Sequence, residues 1–425
     1  MNDRIPSPAP APMAPAEAIG FEVKPLPPSL RVPDALSRGL GLGGQRSMSP
    51  ERLVASAARR AGLPARLPGH VDEALEVLCR SLHDDARLHW FGRANLRNLI
   101  VTGLTELLLL EQLFRDRPEL DETPLIPPLI VTGLPRSGTT FLHRLLSAPP
   151  DRCGVPLHRH LFPTRRRAFS SRAEAELLFA PWKRASKRYQ LAAIHFVRPA
   201  LPDECNFGMR LGLRSMIFWA TAPSYGYLRW LLAQDLREAY ATYRRALILH
   251  QLRNPGHRLV LKCPHHLAWL PALAEALPEA HIVQTHRDPL QIVPSEAKLI
   301  LSLQALATHE LDWRKSVETN HLKVSTFARR SLAFADTPAG AKVCHVDYRR
   351  LVREPVALAR EIHGHFGIEH RPEDDAALDA YFAANRQHKH GKNHYSLEMF
   401  DLDPELIEAD FGAYRERFIS ATMTP

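Results

Sequence analysis

Cysteine is scarce in this chain, and the cysteines that are present are scattered. Their number is odd, and no two of them form a Cys-x-x-Cys pair. They are Cys79, Cys153, Cys205, Cys263 and Cys344. A disulfide framework and a zinc finger are both disfavoured, so we expect the reduced thiols of a cytoplasmic protein.

Long apolar runs are also missing. No segment reaches the ~18 consecutive apolar residues of a membrane-spanning helix, and the first residues lack the apolar core of a signal peptide. The longest apolar stretch, Leu99 to Phe114, contains Thr102 and Glu106. We interpret it as an amphipathic helix, and we expect a protein that is not integral to a membrane.

The overall composition is that of a globular protein. The chain has 425 residues, of which 45% are hydrophobic and 24% are charged, so it can bury one large core or two modest ones. Its formal net charge of +9 favours anionic ligands, whether nucleotides, nucleic acid or sulfated and phosphorylated compounds. Charge alone does not choose among them.

The N-terminal part divides into two segments of different composition. Residues 1–47 are rich in proline, alanine, glycine and serine, and they predict a flexible arm. Residues 48–123 predict a helical segment, with helices at Pro50–Arg60, Val71–Leu82 and about 94–114. No chemistry is visible in this segment, and we interpret it as a cap or a dimerisation element of a possible homodimer.

Residues 124–425 predict an α/β domain. Short buried runs, each followed by a helical pattern, indicate parallel strands joined by right-handed crossovers. The predicted strands are Pro127–Thr132, Arg258–Lys262, His281–Thr285 and Lys342–Asp347. A helical insertion at about 150–252 includes a long predicted helix from Tyr225 to Gln251. Ligands of such sheets bind at the C-terminal ends of the strands.

The first predicted strand runs through a glycine-bearing turn into a helix. Gly133 and Gly138 have the spacing of a P-loop, but Thr139, followed by Thr140, stands where such a loop has lysine. Backbone N–H groups and the helix dipole would converge there on a phosphate or sulfate, and Arg136 could bind an oxyanion through two N–H groups. We predict an anion cradle; a turn that only packs is the alternative.

The end of the second strand carries titratable side chains. Lys262 at the strand end could stabilise negative charge, and His265 and His266 just beyond it can accept a proton near neutral pH. Structural histidines are the alternative interpretation.

The third and fourth strand ends carry a second set of candidate residues. Arg287 ends the third strand, and Ser295, eight residues later, falls about two turns along the next helix, so both could contact a second phosphate. Tyr348 follows the fourth strand and could lie against a base or sugar.

Taken together, these segments resemble the sulfotransferases that use 3′-phosphoadenosine-5′-phosphosulfate (PAPS). The resemblance implies a P-loop-NTPase-like parallel sheet flanked by helices. It implies donor binding by the loop, by the Arg287 and Ser295 pair, and by Tyr348 in a Y-x-x-L-x-x-x-P segment. The implied loop residues are Pro135, Arg136, Ser137, Gly138, Thr139 and Thr140.

The resemblance is closest to the broad, mainly bacterial branch of that family. Leu261–Leu267 and Thr285–Pro289 fit its patterns L-K-[ST]-P-x-H-L and T-H-R-D-P, with Cys263 as the one departure. The tail His390–Phe400 is also similar. It implies a basic segment, including Lys392, that closes over the nucleotide.

The implied reaction is in-line transfer of a sulfuryl group from PAPS to a hydroxyl or amine, leaving adenosine 3′,5′-bisphosphate. The acceptor could be a small molecule, a lipid or a glycan, and no metal is implied. Arg136 and Lys262 would stabilise the developing charge. The catalytic base is left open. The candidates are Glu204, His160, His265 and His266.

Three other functions remain as alternatives. A nucleotide-dependent kinase of the P-loop class needs a loop lysine, and Thr139 disfavours it. A nucleic-acid-binding module could use the basic clusters at 165–167 and 183–188, but no aromatic residues are interleaved for stacking, so no nucleic acid is expected. A catalytically inactive sulfotransferase-like binding protein stays open because the base is uncertain.

Overall fold

A parallel β-sheet forms the centre of the fold. The computed structural model describes residues 20–24, 28–39, 45–165, 168–189, 191, 197–385 and 394–419. Within them the strand order is β2-β3-β1-β4-β5, and every neighbouring pair is parallel. The strands are β1 (Leu129–Gly133), β2 (Arg152–Gly154), β3 (Arg258–Lys262), β4 (His281–His286) and β5 (Cys344–Asp347). The predicted fold class, a P-loop-NTPase-like sheet flanked by helices, is confirmed.

The register brings the ends of the strands to one edge. Val131 of β1 lies opposite Lys262 of β3 on one side and Val283 of β4 on the other. His286 of β4 lies opposite Asp347 of β5. The segments that follow these strands therefore meet above the same edge of the sheet. The edge strand β2 was missed by the sequence analysis because three residues are too few to show a pattern.

The N-terminal helices are confirmed, and one more precedes them. They are α1 (Pro28–Gly39), α2 (Pro50–Ala61), α3 (Gly69–Asp84) and α4 (Trp90–Asp116). No regular element was predicted at 28–39, yet Asp34 of α1 is buried and accepts the N–H of Trp90 at 2.7 Å. This bond satisfies a donor in the first turn of α4, where intrahelical acceptors are missing.

The insertion is helical, as predicted, but its long helix is broken. After α5 (Thr139–Leu146) come α6 (Leu157–Leu161), α7 (Ala168–Ser186), α8 (Asn206–Met209), α9 (Ile217–Thr221), α10 (Tyr225–Ala233) and α11 (Arg237–Arg253). The prediction of one helix over 225–251 is wrong. Gln234 is extended, and the Asp235 carboxylate accepts the N–H of Arg237 at 2.9 Å. A short polar side chain here bonds the backbone in place of the helical carbonyl.

The remaining helices follow β3, β4 and β5. They are α12 (Leu270–Ala276), α13 (Pro289–Gln304), α14 (Trp313–Ala335), α15 (Tyr348–Arg353), α16 (Pro355–His365), α17 (Pro372–Ala384) and α18 (Pro404–Phe418). Short 3₁₀ turns lie at 45–48, 118–122, 187–189, 210–212, 264–269, 340–342 and 398–400. Pro271 stands in the first turn of α12, just after one of these turns, where proline is tolerated.

Two apolar clusters cover the two faces of the sheet. The larger one joins the N-terminal helices, the insertion and the sheet, as its members Leu75, Trp219 and Leu261 show. The other packs β1 and β5 against α5 and α16, with Val131 and Leu358 among its members. Among the described helices, none combines the length and the apolar character that crossing a membrane requires.

Candidate active site

A cavity of about 370 Å³ opens where the strand ends meet. Two unlike sets of side chains surround it, which we call the polar lining and the apolar lining. The polar lining comes from the segments after β1, β3, β4 and β5, with contributions from Glu204 just before α8 and from α13. Its members include Pro135, Arg136, Gly138, Thr139, Thr140, Glu204, His265, Arg287, Glu296 and Tyr348.

The loop after β1 has a backbone that demands particular residues. Gly133 has φ 148° and Gly138 has φ 88°, and Arg136 adopts φ 67° although it is not glycine. A Cβ atom on Gly133 would lie 2.3 Å from Thr285 Oγ1, and one on Gly138 would lie 2.9 Å from Leu351 Cδ2. The Arg136 conformation costs on the order of 1–3 kcal/mol, so the surrounding structure must hold it.

Ser137 braces the loop from inside and does not line the cavity. Its hydroxyl donates to the Leu134 carbonyl at 2.6 Å and lies 2.6 Å from Thr285 Oγ1, and the residue is fully buried. The other predicted loop residues face the cavity. Ser137 therefore ties the loop to β4, although the sequence analysis gave it a role in donor binding.

The two residues predicted for a second phosphate both hold Arg136. Arg287 Nη1 donates to the Arg136 carbonyl at 2.9 Å, and Arg136 Nε donates to Ser295 Oγ at 3.3 Å. The Arg287 guanidinium also lies 4.5 Å from the centre of the Tyr348 ring, a cation–π contact. Burial lowers the pKa of Arg136, and the nearby Glu296 opposes that shift. The structure thus brings the predicted loop and the predicted second subsite together.

Lys262 lies behind the cavity and is paired. Its Nζ atom donates to Glu204 Oε1 at 2.7 Å, and its side chain is 1% exposed, whereas that of Glu204 is 17% exposed. Glu204 faces the cavity and Lys262 does not. A buried ion pair is weak evidence of stabilisation because desolvation offsets the attraction, so its place beside the cavity is the informative feature.

A second lysine–glutamate pair, of which both members are buried, borders the cavity and was not predicted from the sequence. Lys323 Nζ of α14 donates to Glu296 Oε1 of α13 at 2.7 Å, and both residues are buried. Glu296 directly follows Ser295, so its neighbourhood in the sequence was the available signal. Its partner is 27 residues away in another helix, and no local pattern links the two.

The candidate histidines divide into one in the cavity and two in the core. His265 lines the cavity, and burial lowers its pKa to about 4, so it is neutral at pH 7. His266 is buried, with Nδ1 2.8 Å from the Tyr240 hydroxyl. His160 is also buried, against the rings of Tyr243 and His250. Burial lowers the pKa values of His160 and His266 to about 3. Lys392 lies outside the described residues.

Comparison with known proteins decides the family. A family model described as the sulfotransferase family matches residues 127–372, more than half of the chain. This chain belongs to the sulfotransferase family. The solved structure of the sulfotransferase STF1 from Mycobacterium tuberculosis H37Rv is 28% identical, with a TM-score of 0.71 over 86% of this chain and 98% of its own. No curated protein matches the sequence.

A second solved structure supports the fold of this sulfotransferase. The sulfotransferase STF9 from Mycobacterium avium is 23% identical, with a TM-score of 0.76 over 88% of this chain and 97% of its own. The two neighbours cover 86% and 88% of this chain, more than the family model spans, so the shared fold extends beyond residues 127–372.

Helices of the N-terminal segment and of the insertion, together with α13, supply the apolar lining of this sulfotransferase. It includes Phe91 and Leu99 of α4, Phe179 of α7, Ile217 of α9 and Leu303 of α13. The N-terminal segment therefore forms part of the cavity wall. Apolar residues at helical spacing look the same whether they fill a core or line a cavity, so no sequence signal distinguished these residues.

Proposed function

We propose that this sulfotransferase transfers a sulfuryl group from PAPS to the hydroxyl group of an apolar acceptor. One observation carries the proposal: a single cavity joins an anion-binding loop to an apolar wall. An anionic donor fits the first and an uncharged alcohol or phenol fits the second. An amine of similar apolar character would meet the same surfaces.

The polar lining fits a nucleotide that carries anionic groups at two positions. The loop offers the N–H groups at the start of α5, Arg136, and the hydroxyls of Thr139 and Thr140. Arg287 offers a second guanidinium, backed by the Tyr348 ring. PAPS would supply the activated sulfuryl group at the first set and a 3′-phosphate for the second, with Ser295 beside it. Lys392 is proposed to close over the bound nucleotide.

The charged side chains around the loop would act by electrostatic preorganisation. Fixed cations and N–H donors lower the energy of the negative charge that develops during transfer, at no cost of reorganisation. Arg136 is already fixed by Ser295 and by the Arg287 contact to its carbonyl. Lys262, which is bonded to Glu204 beside the cavity, would add its positive charge to the stabilisation of the same developing negative charge.

Glu204 is the proposed proton acceptor. It combines a carboxylate, a place in the polar lining and a bonded partner that fixes its orientation. A base must come within hydrogen-bond reach of the acceptor hydroxyl, and geometry takes precedence over pKa. His265 is the second candidate because it lines the same cavity in its neutral form. His160 and His266 lie in the core, so their substitution would act through packing.

The apolar lining supports an uncharged, water-insoluble acceptor. Its side chains come from α4, α7, α9 and α13, and burying apolar surface against them contributes roughly 25 cal/mol per Å². A sugar would leave its hydroxyl groups without partners along this wall. Hydrophobic phenols and fatty alcohols are therefore expected to be turned over in preference to soluble glycans of similar size.

Thermal unfolding with different nucleotides tests the proposal. Adenosine 3′,5′-bisphosphate should raise the midpoint of unfolding, since it binds only the folded state, while ATP with magnesium should not. An equal response to both nucleotides, or to neither, would contradict donor binding. Transfer of radioactive sulfate from labelled PAPS to a panel of phenols, alcohols and glycans then separates an active enzyme from an inactive binding protein.

A further inference from the structure

Cys263 is where the motif after β3 departs from the pattern it resembles, and its thiol has metal-ligand neighbours. The sulfur lies 3.5 Å from His265 Nδ1. One ligand atom from each of Glu204, Cys263 and His265 lies within 4.8 Å of the other two. A serine or threonine at position 263 would give no such set, because a hydroxyl is a poor ligand for a soft cation.

The three groups have the chemistry of a zinc site. Zn²⁺ binds thiolate sulfur, imidazole nitrogen and carboxylate oxygen at about 2.0–2.3 Å, typically with four ligands. Three protein ligands leave one position for water. Glu204 and His265 line the cavity and Cys263 is buried directly behind them, so this position would face the cavity.

We propose that Glu204, Cys263 and His265 form a binding site for Zn²⁺, and that the bound metal blocks the active site. On binding, the Cys263 thiol releases its proton to solvent and the thiolate sulfur forms a bond to the metal. The metal would then hold both candidate bases and occupy the place of the acceptor hydroxyl. This blocking effect rests on the proposed function, whereas metal binding does not.

The surroundings of the site favour a metal ion that binds reversibly over one that stays bound permanently. Lys262 Nζ lies 2.7 Å from Glu204 Oε1, so a bound cation meets a positive charge close by. Repulsion between like charges weakens binding. The site therefore suits an inhibitory ion that leaves on chelation.

A second histidine and carboxylate cluster must be distinguished in any test. Among the described residues, His363, His370 and Asp374 also group their ligand atoms, but Arg152 already contacts Asp374 with two bonds of 3.2 Å. That cluster has no sulfur. A signal specific for metal–thiolate bonds reports the Cys263 site alone.

Cobalt titration of the tag-free full chain provides that signal. Co²⁺ should produce a near-ultraviolet thiolate-to-cobalt absorption that saturates at one equivalent, and Zn²⁺ should remove it. Cys263→Ser should abolish the band. Cys79→Ser should keep it, because that half-buried cysteine belongs to no such cluster in the described part of the chain. Glu204→Gln and His265→Asn should each weaken binding by about 100-fold or more, since second-shell changes alone reach that range.

The outcomes of these measurements distinguish a failure of the metal site from a failure of the proposed function. No cobalt–thiolate band in the parent chain, or an equal band in Cys263→Ser, would overturn the proposal. Stabilisation of Cys263→Ser by adenosine 3′,5′-bisphosphate shows that the variant is folded. If the band forms but the nucleotide has no effect on the parent chain, the metal site stands and the donor assignment fails. Zn²⁺ that inhibits Cys263→Ser as strongly as the parent would contradict the blocking role.

Discussion

The polar and apolar linings of the cavity differ in the structural features that form them. The polar lining follows four strand ends and depends on a constrained backbone, in which Gly133, Arg136 and Gly138 have positive φ. The apolar lining is assembled from side chains of distant helices, such as Phe91, Phe207 and Leu303. Backbone constraints restrict residue type at each position, whereas an apolar wall accepts any side chain of suitable size. The first leaves a recognisable motif and the second does not.

The largest expected effect is on chemistry at the polar lining. Glu204→Gln should lower turnover by roughly 10²–10⁴-fold, the usual contribution of a general base. Stabilisation by adenosine 3′,5′-bisphosphate should persist, because the loop is untouched. His160→Gln is the matched variant in the core, and it should keep turnover within a few-fold of the parent. If His160→Gln loses turnover while Glu204→Gln retains it, the base is wrongly assigned.

The second-largest expected effect is on donor binding. Arg136→Ala should weaken adenosine 3′,5′-bisphosphate by about 10–100-fold in titration calorimetry, since a hydrogen bond to a charged group contributes about 1.5–3 kcal/mol. Arg349→Ala is the control: this exposed arginine, next to Tyr348, pairs with Asp347 and does not line the cavity. Equal affinities for the two variants would remove Arg136 from the donor site.

A substitution in the apolar lining should affect only the acceptor. Leu303→Ala should raise KM for an apolar phenol or alcohol by up to about 60-fold, because each of the three lost carbons contributes about 0.8 kcal/mol when fully buried. The thermal shift with adenosine 3′,5′-bisphosphate should be unchanged. Leu252→Ala, at a leucine that is 49% exposed, should change neither quantity. A loss of nucleotide binding in Leu303→Ala would show that the two linings are not separate.

A smaller effect is expected from Gly138, the glycine just before α5. Gly138→Ala and Gly256→Ala both place alanine at positive φ, which should destabilise the fold in urea unfolding by about 1 kcal/mol at Gly256 and by more at the crowded Gly138. Only Gly138→Ala adds contacts, at 2.9 Å to Leu351 and 3.0 Å to Tyr348, whereas nothing lies within 4 Å at Gly256. Only Gly138→Ala should weaken the nucleotide. Equal nucleotide affinity in both variants would contradict a role for this crowding.

The last expected effect is confined to acidic conditions, as a change in the pH dependence of stability. His160 has a folded pKa of about 3 and a reference value of 6.5, so below pH 6.5 the unfolded chain binds a proton that the folded chain excludes. Stability therefore falls as the pH falls through this window. His160→Gln should reduce the slope between pH 6 and pH 5 by up to about 1.4 kcal/mol per pH unit. Parallel slopes for parent and variant would contradict this assignment.

The segments that meet at the candidate site could be predicted from the sequence where their signal is local. The loop, and the pair formed by Arg287 and Ser295, could be predicted because one turn and one helix set the spacing of their residues. The direction in which a side chain points could not be predicted from the sequence. Ser137 turns inward to Leu134, and Lys262 turns to Glu204, which is 58 residues away. The break at Gln234 was also hidden, because its neighbours on both sides favour helix.

The contacts of Arg136 couple the two proposed anion subsites to each other. Arg287 donates to the Arg136 carbonyl and Ser295 accepts from its guanidinium, while the hydroxyl of the next residue, Ser137, contacts Thr285 of β4. A ligand group that shifts Arg287 therefore shifts the loop as well. Occupation of either subsite should preorganise the other, so the affinities of separate donor fragments should be cooperative rather than additive.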